Sequence, residues 1–151
     1  MFIAAAGNNA TGHNTLSTPI VPCDYNFAHI ICVAASTQND TFATFSDYGT
    51  ATVHVVAPGK SIASTLIGDS YGYLDGTSMA APVVAAMASL VRSYRPTLSR
   101  AQVRQLIFDN VDVLSAYTDK VQTHGRVNLY QTLYCAYISC GHYALSGVVN
   151  T

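Results

Sequence analysis

Residues 30–35 read Ile-Ile-Cys-Val-Ala-Ala, an unbroken apolar run with His29 and Ser36 at its ends. A strand with one wet face alternates apolar and polar residues. A continuous run of this length suits a strand covered on both faces, as in a parallel sheet layered against other elements. Phe2–Ala6 is a second apolar run and stops at the turn signal Gly7-Asn8-Asn9. Thr52–Ala57 is rich in β-branched residues and stops at Pro58-Gly59, and Ser61–Leu66 predicts one more short strand. Residues 10–24 are Thr, Ser, Asn, Gly and Pro in the main, an irregular surface segment, and Phe42, Phe45 and Tyr48 punctuate a turn-rich stretch ending at Gly49.

Helical signals follow the strands. From Gly76 a segment rich in Ala predicts a helix to about Arg92 that is apolar nearly all round, so it packs inside a domain. Pro82 falls in its first turns, where proline is tolerated. Ser99-Arg100-Ala101-Gln102 is a capping box, with Leu98 and Val103 as a hydrophobic staple, and Val103, Leu106 and Ile107 give the next helix one apolar face. A last short helix follows Asn128 through Leu129 and Leu133. Strands alternating with helices predict an α/β layered domain. No internal repeat or interdomain linker interrupts it.

The bulk properties fit such a core. Hydrophobic residues make up 50% of the 151 and charged residues 10%, and the formal net charge is −1. This gives no electrostatic footprint for nucleic acid or an anionic membrane, so neither is expected as a partner. The longest apolar stretch, Met79–Val91, contains Pro82 and Ser89 and falls short of the ~18 residues a spanning helix needs. No basic residue precedes Lys60, which does not resemble a secretory leader; the opening residues read as the middle of a strand, as if the chain began inside a domain.

Four cysteines, Cys23, Cys32, Cys135 and Cys140, allow three pairings that sequence cannot separate. Cys135 and Cys140 are close enough for a local bridge, and Cys32, inside the apolar run, reads as a small buried hydrophobe. No Cys-x-x-Cys occurs, so neither zinc nor a redox motif is expected. Sequons stand at Asn9-Ala10-Thr11 and Asn39-Asp40-Thr41 and are informative only in an exported protein.

The strongest chemical signal is Gly76-Thr77-Ser78-Met79-Ala80-Ala81-Pro82. A serine at a helix start lies among unpaired N–H groups and at the positive end of the helix dipole, both favourable to an oxyanion beside its Oγ. Small neighbours let a substrate backbone approach. From physics alone an ordinary serine N-cap is the simpler account. The string Gly-Thr-Ser-Met-Ala-Ala-Pro, however, resembles the nucleophile motif of subtilisin-like serine proteases, and it is not the Gly-x-Ser-x-Gly elbow of α/β-hydrolases, because Ala80 fills the last position. Ala4-Ala5-Ala6-Gly7-Asn8 resembles the same family's strand and loop carrying the oxyanion asparagine. Phe42–Gly49 resembles its Phe-Ser-Asn-Tyr-Gly turn, Ala57-Pro58-Gly59 with Ile62 and Ser64-Thr65 its Ala-Pro-Gly stretch, and Gly125-Arg126-Val127-Asn128 the opening of its last helix.

The resemblance implies a subtilisin-like parallel sheet with flanking helices, truncated on its N-terminal side, over residues 1–134, with 135–151 as a tail of unknown role. It implies a serine endopeptidase acting on proteins or peptides, with Ser78 as nucleophile, Asn8 as oxyanion donor and Gly7 lining the primary specificity pocket. The family's triad Asp and His lie upstream of the asparagine, and neither motif is in this sequence. None of His13, His29, His54, His124 and His142 sits in the context of the base. On this reading the chain is part of a protease and inactive alone; the alternative is a catalytically inactive relative or a binding module, which has no need of Ser78 and Asn8. Departures are Val83 where the family often has histidine, His54 where many relatives carry an acidic residue, and His124 where glycine is frequent. Calcium is common in the family through oxygen ligands lying largely outside this sequence, so no cofactor and no metal ligand is assigned here. Most such enzymes are secreted, and the cysteines and sequons are compatible with export.

Overall fold

The computed structural model describes residues 1–13, 19–25 and 27–139. Its centre is a five-stranded sheet. β1 (Phe2–Ala5) runs parallel to β2 (Ile30–Ser36), from Phe2 opposite Ile30 to Ala5 opposite Val33. β2 runs parallel to β3 (Val55–Pro58), from Val33 opposite Val55 to Ser36 opposite Pro58. β3 meets β7 (Gly125–Val127) in parallel at Val56 and Arg126, and β6 (Val111–Val113) closes the edge antiparallel to β7. A separate antiparallel hairpin, β4 (Ile62–Leu66) and β5 (Ser70–Leu74), stands between β3 and the first helix.

Side chains alternate across β2 and enter two cores. Ile31, Val33 and Ala35 face Ala80, Val84, Met87 and Val91 of α1 (Thr77–Tyr94), with Val103, Leu106 and Ile107 of α2 (Arg100–Asp109) behind them. Cys32 and Ala34 enter the second core, with Val53, Val56, Tyr117 and Val121. Every residue of β2 is buried, so the expected two-sided strand is what forms. The α/β expectation of a mostly parallel sheet with flanking helices also holds. The Ser99–Gln102 capping box is present in both directions, and Leu98 and Val103 are buried in one cluster. Asn128 caps α3 (Leu129–Ile138) by accepting from the Gln131 N–H, and α3 runs unbroken through residue 134.

Several expectations change. β3 starts at Val55 because the N–H groups of Thr52 and Val53 turn back to the Gly49 carbonyl. Cys32 is buried but not a free thiol: it is bridged to Cys23, whose 3₁₀ turn brings the two Cα atoms to 5.4 Å. The anticipated Cys135–Cys140 bridge involves Cys140, which lies outside the described residues. Pro82 sits in the second turn of α1, where its missing N–H removes the bond to the Ser78 carbonyl. α1 is covered on one side only: Val83, Leu90 and Tyr94 are exposed. His124 has φ of 54°, a left-handed conformation that explains why glycine suits this position. Among the described residues no helix is long and apolar enough to cross a membrane.

Candidate active site

β1 ends at Ala5, and the chain bends through Gly7, at φ +116°, into Asn8. α1 begins after Gly76, which occupies the N-cap position and makes no side-chain cap. Ser78 is therefore not an N-cap. It is the second residue of the helix, and it is exposed. The two segments, some seventy residues apart in sequence, are stitched together by Thr77. The Gly7 N–H donates to Thr77 Oγ1 at 3.1 Å, while the Thr77 N–H and hydroxyl donate to Asn8 Oδ1 at 2.9 and 3.0 Å.

This pattern fixes the orientation of the Asn8 amide. Two donors claim the oxygen, so the other end, Nδ2, carries its hydrogens outward. In the first turn the Thr77 N–H is taken by Asn8 and the Met79 N–H returns to the Gly76 carbonyl at 3.0 Å, so the Ser78 N–H is left as a helix-terminal donor. Both donors flank one small space. A Cβ built on Gly76 would lie 3.6 Å from Asn8 Nδ2 and 3.7 Å from the Ser78 nitrogen. A Cβ there would be in van der Waals contact with both donors, and at φ 156°, ψ 156° only glycine is at ease. Two N–H groups converging beside an exposed hydroxyl at a helix N-terminus can bind a developing oxyanion.

The surroundings hold this geometry. The Gly76 N–H donates to the Gly59 carbonyl at 2.8 Å, and a Cβ on Gly59 would meet Ala35, Gly76 and Ala80 at 2.6–3.3 Å, so the Pro58-Gly59 turn packs directly under the Gly76 loop. The Asp75 carboxylate accepts from the Ser61 N–H at 2.7 Å and ties the hairpin base to the same loop. On the other side the Asp47 carboxylate, fully buried, accepts from the N–H groups of Asn9 and Thr11, the Asn9 amide and the Thr11 hydroxyl.

The structure brings Ser78, Asn8 and Gly7 together. Among the described residues no histidine hydrogen-bonds any of the three. His13 is buried with both ring nitrogens occupied, Nδ1 by Asp24 at 2.8 Å and Nε2 by the Ala6 carbonyl at 2.8 Å. His54 accepts the Cys32 N–H on Nδ1 at 2.8 Å and stacks on Phe108; burial, and then the Arg104 charge, lower its pKa to about 4. His29 and His124 are exposed, His29 stacked on Phe27, and His142 lies outside the described residues. Among the described residues no side chain hydrogen-bonds the Ser78 hydroxyl. No group of three or more His, Cys, Asp or Glu there could hold a metal ion, and His54 is a buried imidazole with no carboxylate oxygen to offer. Thr77 and Asp47 lie inside motifs read from the sequence, but their roles were not legible there, because each acts on a segment tens of residues away.

The sequence model of the subtilase family matches residues 1–130. A thermophilic serine proteinase of Bacillus sp. (strain AK1) is 41% identical over 133 residues, which is 88% of this chain and 30% of the relative. Subtilisin Savinase of Lederbergia lenta is 40% identical over 104 residues, 69% of this chain and 36% of the relative. Among solved structures, a chain from the subtilase cytotoxin SubAB assembly aligns with a TM-score of 0.79 at 22% identity, covering 91% of this chain and 50% of that one. A mutant of the protease domain of PatA aligns with a TM-score of 0.72 at 24% identity, over 89% of this chain and 47% of that one. These structural likenesses speak for the fold. The chain spans about half the length of those solved chains and still less of the curated relatives.

Proposed function

Because the chain belongs to the subtilase family, we propose that it is part of a serine endopeptidase in which Ser78 is the nucleophile. The observation that carries this reading is the convergence of Asn8 Nδ2 and the Ser78 N–H beside an exposed serine hydroxyl. Ser78 Oγ attacks the scissile carbonyl carbon and its proton passes to a histidine. The carbonyl oxygen, now negative, lies between the two donors. The intermediate collapses, the amine leaves with the histidine's proton, and water then hydrolyses the acyl-enzyme by the same route. Gly7 lines the pocket for the residue before the scissile bond.

The histidine, and the aspartate that orients it, come from a segment outside this sequence. Three observations support that. His13 and His54 are committed to structural bonds. The chain spans only half of its solved relatives. An apolar surface is left uncovered on α1 and α3, where Leu90, Tyr94, Tyr130 and Tyr134 line an open groove, and Phe2 is exposed on the outer strand of the sheet. That combination of open edge and apolar groove is what a covering segment of the same domain would bury. The substrates are proteins or peptides, and the protein is exported, in keeping with the Cys23–Cys32 disulfide.

Casein hydrolysis tests the reading. The full-length protein cleaves casein, Ser78→Ala lowers turnover by up to ~10⁶-fold, a magnitude measured on subtilisin, and the 151-residue chain alone shows no cleavage. Turnover unchanged in Ser78→Ala, or casein cleavage by the isolated chain, contradicts it.

A further inference from the structure

Asp47 is fully buried and carries four hydrogen bonds on one carboxylate. Oδ1 accepts from the Asn9 N–H at 2.9 Å, the Thr11 N–H at 2.9 Å and the Thr11 hydroxyl at 3.1 Å; Oδ2 accepts from Asn9 Nδ2 at 3.0 Å. All four contacts are donors, the set an acceptor-only group satisfies. The Asp47 N–H also donates to the Gly7 carbonyl at 2.9 Å. Oδ2 lies so close to Gly7 that a Cβ there would approach it to 2.2 Å.

Asn8 thus sits between two residues that Asp47 holds. Gly7 is fixed through its carbonyl and by contact, and Asn9 through its N–H and side chain. Asn8 itself makes no bond to Asp47; its amide is claimed by Thr77. The backbone position of Asn8 comes from one clamp and the rotation of its amide from the other. We propose that Asp47 is a positioning residue for the proposed peptidase reaction: it sets where Asn8 Nδ2 stands relative to the Ser78 N–H. This rests on the serine-protease reading above.

The clamp matters because oxyanion donors work over a narrow distance, 2.7–3.1 Å from the oxygen by the general rule. A misplacement of about 1 Å costs on the order of 100-fold in rate. The Asn8 contact strengthens as charge develops on the carbonyl oxygen, so a shift in the loop lowers kcat and leaves KM nearly unchanged.

The test is a set of variants of the full-length enzyme, each checked for native circular dichroism and assayed on a peptide substrate. Asp47→Ala is expected to lower kcat by about 10–100-fold with KM within about 3-fold. Asp47→Asn, which keeps an acceptor for both backbone N–H groups and the Thr11 hydroxyl, retains kcat within about 3-fold. In an Asn8→Ala background, Asp47→Ala lowers kcat by less than about 2-fold, because the donor it positions is gone. If Asp47→Ala does not fold, Asp47→Ser is read the same way. An equal kcat loss from the Asp47 change with and without Asn8 overturns the proposal, as does an Asp47→Asn enzyme as impaired as Asp47→Ala. Ser78→Ala in the same assay separates the two levels: turnover that survives it sinks the protease reading itself, whereas failure of the Asp47 arms alone leaves Ser78-dependent turnover intact.

Discussion

The amide oxygen of Asn8 accepts two hydrogen bonds from one residue, Thr77: one from its N–H at 2.9 Å and one from its hydroxyl at 3.0 Å. The hydroxyl is itself held by the Gly7 N–H, so it has one orientation available, with its proton on Asn8. Thr77→Val keeps the shape and removes both hydroxyl bonds. The Asn8 amide oxygen then keeps only the Thr77 backbone N–H and is held less firmly, and the Gly7 N–H loses its acceptor. Each bond is worth about 1 kcal/mol, and kcat is expected to fall about 10-fold with little change in KM. Steady-state kinetics on the full-length enzyme reads this directly.

Gly76→Ala is expected to damage both folding and catalysis. The φ, ψ pair of 156°, 156° is a glycine conformation, and forcing a side chain into it costs about 1–3 kcal/mol. The new methyl also comes into van der Waals contact with both N–H donors, at 3.6 and 3.7 Å. Thermal unfolding measures the first effect. Turnover per folded molecule measures the second, and it drops further than the lost stability accounts for.

Much of this was legible beforehand, and the reason is locality. The capping box at Ser99, the cap at Asn128 and the two-sided burial of β2 are written in neighbouring residues, and all three form. The strings around Asn8 and Ser78 also identified two segments that meet. What was illegible depends on distant pairing. β6 and β7 are three residues each and exist only because they pair with each other and with β3. β5 is exposed along most of its length and interrupted by Gly72, so it carries no alternation to read. Asp47 and Cys23 matter through partners that the fold, not the local sequence, brings to them.

The Cys23–Cys32 bridge ties the irregular segment after Asn8 to the buried strand β2 across a separation of 9 residues. A loop this short is worth about 2–3 kcal/mol through the unfolded chain. Replacing both cysteines by alanine is expected to lower the denaturation midpoint, with a somewhat steeper dependence on denaturant because the unfolded chain loses its cross-link. Guanidinium titration of the two proteins provides the comparison.

His54 makes stability fall in mild acid. Its folded-state pKa is lowered from 6.5 to about 4, by burial first and the Arg104 charge second. Above about pH 6.5 neither folded nor unfolded chain holds the proton, and there is no effect. As pH falls from there toward 4, the unfolded chain takes up the proton while the folded one does not. Stability then drops by roughly 1.4 kcal/mol per pH unit, about 3 kcal/mol over the window. His54→Gln is expected to remove that part of the slope. Denaturation measured at intervals between pH 7 and pH 4 shows whether it does.

The central claim is that Ser78 is an activated nucleophile in the complete protein, and a tagged fluorophosphonate tests it most directly, because the reagent reacts with activated serines. After labelling an extract of the source organism, the tryptic peptide Ser61–Arg92 is sought in the labelled bands. The account predicts that peptide modified at Ser78, in a band clearly heavier than 16.0 kDa. Recovery of the peptide only in unmodified form contradicts it.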